Sequence, residues 1–179
     1  SDDLTNAAWS KSGATVAGGV SDPFGGAAAQ TVTATAANAY IAQFQAASGA
    51  NYVSSMWVRR RSGSGAIKLS NPAHTGVTTL TLSSSWQRFA VSGAPSGADY
   101  VNSLLILTTS GDAVDVYGPQ LEQSLASTPG PYFQTLATDY CGGPWITAAG
   151  ALVNPQTYTI SNGAVTFAAA PASGAALAW

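Results

Sequence analysis

The residues best suited to chemistry lie on one short segment, Tyr52-Val-Ser-Ser-Met-Trp-Val-Arg-Arg-Arg61. In an extended strand the side chains alternate, so Met56 and Val58 share one face while Trp57, Arg59 and Arg61 share the other. A second segment, Val114-Asp-Val-Tyr-Gly-Pro-Gln-Leu-Glu-Gln123, carries Val114 and Val116 on one parity and Leu121 on the opposite one. An extra residue bulged out at Gly118-Pro119 restores a common apolar face and leaves Tyr117, Gln120 and Glu122 on the outer one. Aromatic rings flanked by guanidinium, amide and carboxylate groups suit a sugar: a ring stacks on the apolar face of a pyranose and the polar groups fix its hydroxyls. The ligand-binding candidates are therefore Trp57, Arg59, Arg61, Tyr117, Gln120 and Glu122, with Arg59 and Arg61 placed to hold an acidic sugar. A structural reading stays open for each: Trp57 covered by a loop or a second domain, and Tyr117, Gln120 and Glu122 fixing the fold. The loops around Asn71 and His74 are the next place to search.

Catalysis finds little to work with. Glycoside hydrolysis needs two carboxylates facing one bond, about 5 to 9.5 Å apart, and Glu122 is the only glutamate, with the aspartates mostly in loops. His74 is the only histidine; it sits in the turn Asn-Pro-Ala-His-Thr-Gly and reads as a loop residue rather than a base. Cys141 is the only cysteine, which excludes an internal disulfide and a cysteine-rich metal site. Asp2, Asp3, Asp112 and Asp115 raise the question of calcium, but no Asp-x-Asp-x-Asp-Gly spacing occurs. No cofactor is expected, a structural calcium ion being the alternative. Arg60 reads as solvated or paired, and Trp86 as edge packing.

The composition narrows the partners. Of 179 residues 46% are apolar and 8% charged, against about a quarter charged in ordinary domains, so the surface is polar but neutral. A net charge of −2 argues against nucleic acid, which selects basic surfaces. No stretch approaches the roughly eighteen apolar residues of a membrane-spanning helix, so no membrane insertion is expected. The opening Ser1-Asp2 reads as trimmed from something longer. The apolar run Ala175 to Trp179 is expected to pair with further chain or a partner, which suggests a homo-oligomer.

These residues must be positioned by strands. Short β-branched and aromatic runs predict strands at about 29–35, 39–46, 51–61, 65–70, 77–82, 86–93, 101–108 and 113–123. The fold class is all-β, and eight short strands predict a two-sheet sandwich. Residues 101–108 hold an unbroken apolar centre, which predicts a central strand covered on both faces. Past Glu122 the chain turns rich in Pro, Gly, Ser and Thr, dividing a sandwich over 1–134 from a linker and small β unit over 135–179. In that unit Asn162-Gly163 is a type I′ hairpin signal.

Four segments in order carry a family likeness: Leu4-Thr-Asn-Ala-Ala-Trp-Ser-Lys-Ser-Gly-Ala-Thr-Val16, Tyr52 to Arg59, Ser85-Trp-Gln-Arg-Phe-Ala-Val91, and Val114 to Gln123. Together they resemble the carbohydrate-binding-module-like jelly-roll domain of bacteriophage tail and receptor-binding proteins. The Gly-Pro-Gln-Leu-Glu stretch stands where that family has Gly-Ala-Gln-Leu-Glu, and Ser127-Thr-Pro-Gly-Pro-Tyr132 holds the place of its exit motif. Residues 158–177 are similar to β segments of phage minor tail or distal-tail-type proteins. The likeness implies a jelly-roll β-sandwich that binds a bacterial surface glycan without catalysis, in a virion or extracellular setting, beside other tail subunits. A structural tail-assembly module, or an accessory module of a secreted glycoside hydrolase, are the alternatives.

Overall fold

Runs of Val, Ile, Thr, Leu and aromatic residues, cut by Gly, Pro, Asn and Ser, form strands along the whole chain. In the computed structural model the described residues are 2–46, 49–95, 100–124, 126–132, 147–148, 151–152, 158–161, 164–167 and 177–178. They belong to two compact units, Ser1–Asp139 and Tyr140–Trp179.

The first unit holds β1 (Ser10–Ser12), β2 (Ala14–Val20), β3 (Ala29–Ala34), β4 (Ala39–Ala46), β5 (Tyr52–Ser62), β6 (Ile67–Ser70), β7 (Val77–Leu80), β8 (Gln87–Gly93), β9 (Tyr100–Leu107) and β10 (Ala113–Gln123). They make two five-stranded sheets, a front sheet ordered β1-β4-β9-β6-β7 and a back sheet ordered β2-β3-β10-β5-β8. All the pairings are antiparallel. Except at the β2–β3 and β6–β7 hairpins, each strand hands the chain to the opposite sheet. The result is the expected all-β jelly-roll sandwich.

Period-two alternation builds the core. Ile41, Leu69, Leu105 and Leu107 from the front sheet are buried with Val32, Met56, Val58, Val114 and Val116 from the back sheet. Each such side chain contributes about 1.5–3 kcal/mol on full burial. Leu4 and Trp9, which precede β1, join them. A polar contact crosses this layer: the hydroxyls of Ser54 on β5 and Ser103 on β9 lie 2.9 Å apart, both residues buried.

The bulge expected on β10 is present. Tyr117 lies opposite Trp57, and after a register shift Gln120 lies opposite Ser55 and Leu121 opposite Ser54. Gly118 takes φ 56° there, and a Cβ at this position would stand 2.6 Å from the Tyr132 ring. Only glycine meets both demands.

Two expectations are corrected. Strand β9 is central in its sheet, but only one of its faces is core: Leu105 and Leu107 are buried, whereas Leu104 and Ile106 are half-buried and border an open depression. Strands β1 and β2 were not anticipated, because they are built mostly of small Ser, Ala, Gly and Thr residues, with Ala14 and Val16 their partly buried contacts with the core.

In the second unit β11 (Thr147–Ala148) lies between β12 (Ala151–Leu152) and β15 (Leu177–Ala178), and β13 (Tyr158–Ser161) pairs with β14 (Ala164–Phe167). Ser161 is paired with Ala164, so these strands flank the expected Asn162-Gly163 turn, itself outside the described residues, as is Cys141. At the apolar end, Leu177 and Ala178 pair with Ala148 and Thr147, and β15 is the edge strand of its sheet. Among the described residues no helix is long and apolar enough to cross a membrane.

Candidate functional site

All six residues singled out from the sequence are on β5 and β10 of the back sheet. Trp57 and Tyr117 are cross-strand partners with ring centroids 5.9 Å apart. Two further rings close on them. Phe24 meets Trp57 edge-on at 5.4 Å and Tyr132 meets it at 5.1 Å. The Arg88 guanidinium lies 4.7 Å from the Trp57 ring centroid. Trp57 is thus half-buried in a packed aromatic cluster.

The charged candidates are also engaged. Arg59 Nε and Arg61 Nε donate to the two oxygens of Asp115 at 2.9 and 2.8 Å, and Thr31 donates to the same carboxylate at 2.7 Å. Burial alone raises the Asp115 pKa, but these hydrogen bonds overcome it and hold the carboxyl below its ordinary value. The Arg59 guanidinium also lies 4.6 Å from the Trp86 ring centroid. Arg60 pairs with Asp112 at 3.4 Å and donates to the Gly65 carbonyl at 2.8 Å.

Gln120 and Glu122 fasten the segment leaving the sandwich. Gln120 Nε2 donates to the Pro131 carbonyl at 3.1 Å, and Glu122 Oε1 accepts from the Gly130 amide at 2.7 Å. Arg88 donates to the Gly130 carbonyl at 2.7 Å and to Ser55 Oγ at 2.9 Å. Its burial lowers the guanidinium pKa, and Glu122 offsets part of that. This clasp sets Tyr132 beside Trp57, where its hydroxyl donates to Asp2 Oδ2 at 2.6 Å. Burial, with Asp2 adjacent, raises the Tyr132 pKa strongly; burial likewise raises that of Tyr117.

The aspartates considered for calcium do not gather. Asp2 receives Tyr132, Asp3 receives Thr5 and Gln30, Asp112 pairs with Arg60 and Asp115 with Arg59 and Arg61. Among the described residues no group of three or more His, Cys, Asp or Glu side chains is disposed to hold a metal ion.

The front sheet carries a different surface. On its outer side lies a depression of about 310 Å³. Leu104 and Ile106 of β9 form an apolar floor, Tyr40 and Phe44 of β4 stand on one side, and Lys68 of β6 with Val77 of β7 on the other. Register explains the grouping: Tyr40 is paired with Ile106, which is also paired with Lys68, and Phe44 is paired with Asn102. Asn38 and Thr108 close one end. Phe44 is 48% exposed and Val77 53%.

The loop after β6 supplies His74. Asn71 Oδ1 accepts from the amides of Thr75 and Gly76 at 2.9 and 3.3 Å, and the Asn71 amide donates to the Gly76 carbonyl at 2.9 Å. This tight loop places His74 at φ 60°, its ring nearly parallel to Phe44, with centroids 5.8 Å apart and planes 6° apart. His74 Nδ1 lies 3.0 Å from Asn102 Nδ2. Asn102 Oδ1 is buried with no hydrogen-bond partner among the described residues. The depression thus offers an apolar floor, an aromatic wall, amide and hydroxyl groups and one amine. None of its lining residues is Asp or Glu, so it holds no carboxylate pair for glycoside hydrolysis.

Sequence reasoning singled out none of these lining residues as a ligand group, though it pointed to the His74 loop. They come from strands and loops spread over seventy positions, from Asn38 to Thr108. The available signal was the apolar parity of Leu104 and Ile106, which marks a face that is neither core nor solvated.

No protein-family description matches this chain, and no curated protein matches it. Solved structures do. The tandem CBM22-1-CBM22-2 domain of Paenibacillus barcinonensis Xyn10C superposes with TM-score 0.54 at 13% identity, over 73% of this chain and 44% of that one. The CBM22-1 xylan-binding domain of the same protein gives 0.50 at 13% identity, over 64% of this chain and 85% of that one. The CBM22-1-GH10 modules of Clostridium thermocellum xylanase 10B, complexed with xylohexaose, give 0.51 at 15% identity, over 69% and 27%. The likeness shows the fold. This chain spans most of the single module and less than half of the longer chains.

Proposed function

We propose that the first unit is a noncatalytic glycan-binding module whose ligand lies across the front-sheet depression. The observation that carries this reading is the side-chain chemistry of that surface. An exposed Phe44 backed by the parallel His74 ring, with Tyr40 on the same strand, offers faces for pyranose stacking above an apolar floor. Lys68, Asn38 and Thr108 stand around it as hydrogen-bonding groups. Such a mix of apolar walls and a few polar groups is the usual make-up of a small-ligand site. The fold shared with xylan-binding modules supports the reading.

On this reading Trp57, Arg59, Arg61, Tyr117, Gln120 and Glu122 hold the back sheet and its exit segment together rather than contact ligand. Their rings and charges already engage other residues of the chain. The carrier is proposed to be a phage-type tail protein, attaching to a bacterial surface polysaccharide, on the strength of the four-segment resemblance. Attachment to a secreted glycanase is equally consistent with the structural likeness.

A glycan microarray probed with the wild-type chain and with Tyr40→Ala tests the site. The expected result is a defined set of bound glycans, all lost in the variant at unchanged folding. Binding that survives Tyr40→Ala undiminished refutes the front-sheet assignment.

A further inference from the structure

The six basic side chains of this chain are Lys11, Arg59, Arg60, Arg61, Lys68 and Arg88. Five are satisfied within the fold. Lys11 Nζ donates to the carbonyls of Thr5, Asn6 and Trp9. Arg59 and Arg61 share Asp115, Arg60 takes Asp112, and Arg88 takes the Gly130 carbonyl and Ser55. Lys68 alone has no hydrogen bond or ion pair to any described residue, and it lines the depression half-buried, among residues of which none is acidic.

In a chain with so few charges, one unanswered ammonium in a partly enclosed aromatic groove is a chemical statement. The Lys68 ammonium has no counter-ion in the groove, and an anion arriving with the ligand can supply one through a charge-assisted hydrogen bond. A neutral sugar brings hydrogen-bond acceptors but no opposite charge. The back sheet shows a different treatment, since Arg59 and Arg61 each pair with the buried Asp115 carboxylate they share.

Resting on the glycan-binding reading above, we propose that the front-sheet groove selects an acidic glycan, its carboxylate or sulfate ester seated on Lys68 while an adjacent sugar ring stacks at Tyr40 or Phe44. The predicted ligand is a polyanionic polysaccharide.

The test is affinity electrophoresis of the whole chain through gels holding, separately, polygalacturonate, alginate, dextran sulfate, xylan or unmodified dextran. Lys68→Met keeps the length of the stem and removes the charge, Lys68→Arg keeps the charge, and Lys68→Gln replaces the first variant if that one does not fold. The expected result is retention by an acidic polymer, weakened at least tenfold in Lys68→Met and preserved in Lys68→Arg. Retention should also fall as salt rises from about 0.05 to about 0.5 M, where screening shortens the reach of charge. Carboxylated and sulfated gels tell the two anion classes apart. Acidic retention indifferent to Lys68→Met, or retention by neutral polymers alone, overturns the proposal. Tyr40→Ala then separates the two readings: if it abolishes the neutral retention, the groove stands and only its acidic preference falls. If it changes nothing, or if no gel retains the wild type, both fall.

Discussion

Truncating one ring on each side of the sandwich separates the two surfaces. Phe44 is 48% exposed, so Phe44→Ala removes about half of the roughly 1.5–3 kcal/mol that a fully buried ring contributes, or about 1 kcal/mol. For a domain of this size that lowers the melting midpoint by about 2–4 °C. Trp57 packs against Phe24, Tyr117 and Tyr132, with Arg88 over its ring. Truncating a core tryptophan costs about 3–5 kcal/mol; this half-buried ring falls at the lower end, about 3 kcal/mol, or about 6–12 °C. The binding effects run the other way. An aromatic anchor at the centre of a contact is worth about 2 kcal/mol or more, which is about thirtyfold in affinity. Phe44→Ala should therefore weaken glycan retention about thirtyfold with a small thermal shift, and Trp57→Ala should shift the melt strongly while the folded fraction still binds. Scanning calorimetry and affinity electrophoresis on the same preparations read both quantities. A thermally silent Trp57→Ala that abolishes binding, beside a Phe44→Ala that binds normally, refutes the assignment and returns the site to the back sheet.

Two further predictions concern the frame. Asp115→Asn removes the charge that Arg59 and Arg61 share; because the Arg61 side chain is 47% exposed, the cost is about 2 kcal/mol, below the 3–5 of a fully buried pair, and denaturant titration measures it. The folded Asp115 pKa lies below its ordinary value, so its contribution is present above the unfolded value of about 3.9 and is lost as pH falls through the folded one. Wild-type stability should thus decline more steeply below about pH 4 than that of Asp115→Asn, with Asp3 and Asp22, whose pKa values are also lowered, keeping some slope in both. Gly118→Ala meets a positive φ and the Tyr132 ring together and should cost about 2–4 kcal/mol. Adding Tyr132→Ala should then cost less than the sum of the two single changes, since the collision is gone.

Much of the frame was legible because alternation is a local property. The expected strands fall within a few residues of β3 to β10, and the parity break between Val116 and Leu121 located the bulge without any knowledge of its partner strand. Strands β1 and β2 escaped because these edge strands are built mostly of Ser, Ala and Gly, with little apolar contrast to mark Ala14 and Val16 as the residues that touch the core. The surfaces were harder. Trp57 beside three arginines draws the eye, yet what lies over it, Phe24 and Tyr132, is remote in sequence and brought there by a loop and by the exit segment. The groove residues give no such local cue, since Lys68 lies beside Ile106 only through β6–β9 pairing. The apolar parity of β9 was read as cover on both faces when one face was the floor of an opening.

The hydrogen bond from Tyr132 to Asp2 bears on how the sandwich could be re-cut. It brings the segment leading into the sandwich and the segment leading out of it to within 2.6 Å of each other, on the back sheet and so on the side away from the groove. The same closeness means that joining residue 2 to residue 132 through a short linker, and reopening the chain at an exposed turn, should yield a permuted protein that still folds.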